Sequence, residues 1–119
     1  MSGHNIAHEL TRAPFEVLDP GSGEAIVVDR YNVTIPLTIG AGAETNTLAA
    51  PTNANQRVRI ISSVQGAGSR AITAASSINQ TGNTVMTFAA VEDVIVLESF
   101  PVGSAYKWRV VANDGVALS

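Results

Sequence analysis

The chain has 119 residues, no cysteine and a formal net charge of −3, with only 14% of its residues charged. That length makes one domain large enough to bury a core, and the lack of cysteine excludes disulfide staples and thiolate metal sites. Seven cations (Arg12, Arg30, Arg57, Arg59, Arg70, Lys107 and Arg109) are too few and too scattered for a nucleic-acid patch.

No apolar run approaches membrane-spanning length, and the N-terminus lacks the charged-then-apolar order of a secretory signal. The expectation is a soluble protein, not exported by that route, with no nucleic-acid or membrane partner. Its abundant Ala, Gly, Thr, Ser and Asn make small uncharged surfaces that suit close packing against other protein.

Residues 1–20 carry no clean period. Pro14 and Pro20 hold the residues before them extended, so this stretch reads as an N-terminal arm with Phe15, Val17 and Leu18 as apolar side chains. Such an arm docks either on its own domain or on a partner. Residues 21–119 then form a single body. Residues 24–29 read as a short strand. In 33–39, Val33, Ile35, Leu37 and Ile39 alternate strictly with Thr34, Pro36 and Thr38. Pro36 has no N–H to give a ladder, which puts this strand at an edge or a bulge.

Gly40-Ala41-Gly42 is a turn, residues 44–50 a strand, and 52–55 a polar loop. Residues 56–64 make the next strand, and Gly66-Ala67-Gly68 turns it back into 70–74. The last third is richest in β-formers, with strands at 84–89, 93–99 and 106–112 and a short run at 115–118. Trp108, the one tryptophan, shares a strand face with Tyr106 and Val110 and is expected to be buried with Phe88 or Leu97 as the core anchor. Asp114-Gly115 favours a closing hairpin of 106–112 with 115–118. The whole reads as all-β: a small antiparallel β-sandwich, jelly roll or barrel of about eight to nine short strands, without a repeat implying a solenoid.

Reactive groups are sparse. The two histidines, His4 and His8, both fall in the arm, and His8-Glu9 is not a His-Glu-x-x-His zinc motif. A body without His or Cys cannot build a Ser-His-Asp or Cys-His nucleophile of its own. Glu92-Asp93 reads as a solvated turn, and the remaining carboxylates are isolated along the chain. Neither Gly-Ala-Gly turn sits between a strand and a helix with Lys-Ser/Thr following, as a phosphate loop requires. The expectation is no catalytic, cofactor or metal site and no small-molecule substrate.

Two phrases carry a resemblance. Thr45-Asn46-Thr47-Leu48-Ala49-Ala50-Pro51 and Trp108-Arg109-Val110-Val111-Ala112-Asn113-Asp114-Gly115 bracket the body, with Ile78-Asn79-Gln80-Thr81-Gly82-Asn83 between them. Over about residues 24–119 the chain resembles tailed-phage head decoration, or cement, proteins; similar modules occur in tail-fibre parts. The resemblance implies a homotrimer, made in the host cytoplasm, that sits on the virion's capsid surface. There it would bridge major capsid protein subunits and stabilise the expanded head. Arm composition offers Arg12, Pro14, Phe15, Val17, Leu18 and Arg30 as capsid or subunit contacts. The alternative is a receptor- or glycan-binding knob of a tail fibre. Such a knob is expected to follow a coiled-coil stalk, and this chain has no heptads.

Overall fold

The computed structural model describes residues 15–119. Ten strands follow one another: β1 (Phe15–Glu16), β2 (Ala25–Ile26), β3 (Asn32–Ile39), β4 (Ala43–Leu48), β5 (Arg57–Gln65), β6 (Ser69–Ala74), β7 (Val85–Phe88), β8 (Val94–Val102), β9 (Ala105–Asp114) and β10 (Ala117–Leu118). They form two five-stranded sheets. Sheet A has the order β1-β3-β5-β8-β9 and sheet B the order β10-β7-β6-β4-β2.

The period-2 pattern of the sequence decides which side chains face inward. From sheet A, Val33, Ile35, Leu37 and Ile39 of β3, Val58 and Ile60 of β5, Ile95 and Leu97 of β8 and Trp108 of β9 are buried. From sheet B, Ile26, Leu48, Ile72, Met86 and Phe88 meet them in one continuous cluster. At about 1.5–3 kcal/mol for each large apolar side chain taken out of water, this cluster is the main source of stability. Trp108, Phe88 and Leu97 all lie in it, and the Trp108 indole N–H donates to the Ala49 carbonyl at 2.9 Å.

The all-β sandwich stands, but its pairing is mixed rather than antiparallel throughout. Successive strands from β1 to β6 alternate between the sheets, so β1–β3, β3–β5, β2–β4 and β4–β6 pair in parallel. This is three stacked coils, a repeat that the strand-and-turn pattern did not lead one to expect. Each coil turns at a Gly-x-Gly corner: Gly21-Ser22-Gly23, Gly40-Ala41-Gly42 and Gly66-Ala67-Gly68. The last two stack backbone on backbone, with Gly66 N–H donating to Ile39 O at 2.7 Å and Gly68 N–H to Gly40 O at 2.9 Å. Because each corner crosses from one sheet to the other, β6 does not fold back beside β5. From β7 onward the pairing is antiparallel.

The expected closing hairpin is also replaced. Gly115 does turn, at φ 92°, but the chain then crosses to sheet B. Val116 is buried there, and Ala117 and Leu118 pair with Thr87 and Met86 of β7. Burying Val116 between the sheets outweighs the local preference of Asp-Gly for a two-residue hairpin.

Pro36 sits where its chemistry allows. β1 covers β3 only at Val33 and Thr34. Beyond it, the Thr38 N–H donates to Asp19 Oδ2 and the Thr38 carbonyl accepts from Arg70, both at 3.0 Å. Midway lies a residue with no N–H to satisfy. The open edge of β3 is thus closed by a proline and two charged side chains, which leaves little for another strand to pair with.

Candidate interaction surface

Three places on the body combine unusual chemistry with defined geometry. The first is the end of the sandwich opposite the glycine corners. There β8 and β9 run past the last β5 pair, Arg57 with Glu98, and continue alone through Phe100, Pro101 and Val102 opposite Lys107, Tyr106 and Ala105. Phe100, Val102 and Tyr106 are each about two-fifths exposed, and Tyr31 of the neighbouring β2–β3 connector is 64% exposed.

Buried Gln56 holds this end together. Its Nε2 donates to the carbonyls of Val28 and Arg30, while its Oε1 accepts from the Thr52 and Asn53 amides and the Thr52 hydroxyl. The Gln56 amide donates to Ser99 Oγ, which in turn donates to the Asn53 carbonyl at 2.6 Å. One residue therefore ties the β2–β3 connector and the 49–56 loop through its side chain and β8 through its backbone N–H. No buried side-chain polar atom among the described residues lacks a partner. The exposed aromatics stand on a fixed backbone.

The second place is the outer face of sheet A. Directly opposed residues share a face. The register therefore sets Arg57, Glu98 and Arg109 in one row, Thr34, Arg59, Val96 and Ala112 in the next, and Pro36, Ile61, Val94 and Asp114 beyond. Lys107 stands opposite Phe100 at the hairpin. Arg57 is ion-paired with Glu98, and Arg59 reaches the Thr34 hydroxyl at 3.5 Å. Lys107 and Arg109 make no ion pair with the described residues.

The third is the interior beside the glycine corners. Arg70 is 1% exposed, and every donor of its guanidinium is used. Nε donates to Glu44 Oε1 at 2.9 Å; one terminal nitrogen donates to Asp19 Oδ1 and Asn46 Oδ1 at 2.8 and 2.9 Å; the other donates to Asp19 Oδ2 and Thr38 O, both at 3.0 Å. Burial alone would push the Asp19 carboxyl up. The Arg70 side chain, the Gly21 and Thr38 amides and the Arg70 charge outweigh it and hold this carboxyl below its ordinary value. An open groove of about 530 Å³ lies over the cluster, lined by Leu18, Ser22, Pro36 and Ser63 among others. With all five donors committed, Arg70 offers nothing to a ligand there, and its role is to join the two sheets and the Asp19 segment. Among the described residues no three His, Asp or Glu side chains converge to hold a metal ion.

The residues expected to make contacts are Arg12, Pro14, Phe15, Val17, Leu18 and Arg30. Arg12 and Pro14 lie outside the described residues. Phe15 opens β1 and pairs with Val33. Val17 donates to Thr34 O at 2.9 Å and packs against the core. Residues 15–20, expected in the arm, are therefore tied to the body by backbone pairing, by Val17 and by Asp19, while Leu18 is 80% exposed. Arg30 lies at the other end, where its carbonyl accepts from Gln56. Sequence reasoning missed the Arg70 cluster and the Gln56 hub. Compared with family models, with curated proteins and with solved structures, the chain matches none.

Proposed function

We propose that this chain is a structural virion protein that binds the outer surface of a tailed-phage capsid as a homotrimer. There it bridges neighbouring major capsid protein subunits and stabilises the expanded head. The strand-and-turn phrases around Thr45–Pro51 and Trp108–Gly115 support this reading, because they resemble decoration proteins. The observation that carries it is the overhanging hairpin. Phe100, Val102 and Tyr106, and Tyr31 on the β2–β3 connector, are large side chains partly left in solvent near a backbone fixed by Gln56 and Ser99. Aromatic side chains on a preorganised backbone lose little freedom on docking, which is the physical requirement of an adhesive surface. Three such ends on one trimer would engage several shell subunits at once, so modest single contacts become firm attachment.

The test is co-sedimentation of the purified protein with expanded empty heads. Saturable binding that raises the temperature at which the heads disrupt is the expected outcome. Binding equal to that of an unrelated β-sandwich protein would overturn the proposal.

A further inference from the structure

The cations of this chain are not distributed evenly. Its net charge is −3, yet of the described cations only Arg70 is buried and only Arg30 lies in a connector. The other four, Arg57, Arg59, Lys107 and Arg109, all stand on the outer face of sheet A toward its hairpin end. Neighbouring strands are about 4.8 Å apart, so Arg57 and Arg109, one strand removed from each other, lie roughly 10 Å apart. That exceeds the Debye length of about 8 Å at physiological salt, whereas Lys107 and Arg109, two residues apart on one face of β9, lie within it and act together.

Three carboxylates share this face with the four cations. Glu98 is ion-paired with Arg57 and opposes Arg109, Glu16 stands in the row of Arg59 one strand removed from it, and Asp114 sits at the glycine-corner end, so the positive excess lies at Lys107 and Arg109 by the hairpin. Between the cations run Val96 and Ala112, continued by Ile61 and Val94, with Phe100 at the hairpin. Side chains of arginine and lysine lie along such a strip and carry their charge to its rim.

We infer that this face docks against an acidic protein surface, with Lys107 and Arg109 meeting partner carboxylates beside a shared apolar strip. The inference deepens the reading above by naming the docking face and the chemistry it meets, and it rests on that reading for the shell as partner. An acidic chain is repelled at long range by an acidic partner. A local positive face reverses that sign where contact is made and fixes the orientation of approach. Nucleic acid would also be drawn to cations. However, the patch is small, and an apolar strip with no exposed aromatic other than Phe100 offers bases little to stack on.

Two variants of matched net charge test it. Lys107→Gln with Arg109→Gln removes two cations from the face, and Thr45→Glu with Thr47→Glu adds two anions to the outer face of sheet B. Binding to expanded empty heads should weaken about tenfold or more in the first and change less than about twofold in the second. The wild-type affinity should also fall as salt rises. Equal weakening in both variants would overturn the inference while leaving the proposed function in place.

A second probe keeps the inference independent of the shell. A decapeptide alternating Glu and Val, titrated into the ¹⁵N-labelled protein, should shift amides of β5, β8 and β9; its Lys–Val counterpart should not. That result with no binding to heads would sustain the face and end the capsid reading. Shifts scattered over the molecule, no shifts at millimolar peptide, or stronger shifts of the same amides with an oligonucleotide would overturn the inference.

Discussion

Arg70 shows how one residue can set the behaviour of a whole fold. Its guanidinium touches sheet A at Thr38, sheet B at Glu44 and Asn46, and the β1–β2 connector at Asp19. Replacing it with Met keeps the length and removes the charge, leaving Asp19 and Glu44 without a cation. Denaturant unfolding should show a loss of about 3 kcal/mol, as expected for breaking a buried ion pair from one side. Asp19 adds a pH dependence of known sign. Its folded-state value lies below the ordinary 3.8, so on acidification the unfolded chain takes up the proton first. The stabilisation is complete above about 3.8 and drains away as pH falls from there through the folded value. Asp19→Asn should be less stable than wild type at pH 7, and the gap between them should narrow below pH 4. An unchanged gap would mean that the carboxylate's charge contributes nothing. Trp108→Ala should lose about 4 kcal/mol, from the cavity and from an unpaired Ala49 carbonyl. A variant that melts like wild type would contradict the burial.

At the scale of elements, the glycine corners give the sharpest prediction. A Cβ on Gly68 would come within 1.9 Å of the Gly42 carbonyl oxygen, whereas a Cβ on Gly42 would meet nothing within 4 Å. Gly68→Ala should therefore cost about 2 kcal/mol or more, and Gly42→Ala should be within about 0.5 kcal/mol of wild type. Thermal melts of the two would separate a stacked coil from a simple turn. These same corners explain what the sequence made legible. Alternation identified β3, β5, β8 and β9 and the inward set that includes Trp108. It could not say which strand pairs with which, because hydrophobic period reports the face of a strand and not its neighbour. The Gly-Ala-Gly repeat held that information. Aligning Gly40 with Gly66 places Glu44 beside Arg70, and the structure pairs those two residues in register. Read as a repeat, the sequence points to the buried ion pair; read as two separate turns, it does not.

For the whole molecule, the boundary between arm and body moves. A chain starting at Phe15 keeps β1, Val17 and Asp19; one starting at Gly21 leaves Arg70 buried without its two-pronged partner. The shorter chain should unfold at least about 3 kcal/mol more easily, and equal stability would contradict a structural role for residues 15–20. The candidate interaction surface was the least legible part. Tyr106 has the inward parity of Trp108, and only the overhang of β8 and β9 past β5 leaves it in solvent, whereas Phe100 faces outward opposite Lys107. The basic face was hidden for a related reason, since residues from 57 to 109 meet only once strands are paired. The proposed trimer predicts a light-scattering mass about three times 12.3 kDa.

The proposed attachment to the shell is tested directly by imaging expanded empty heads in the electron microscope after incubation with the purified protein. Regular added density at symmetry-related positions on the outer shell is the predicted result. Shells that stay bare at saturating protein would contradict it.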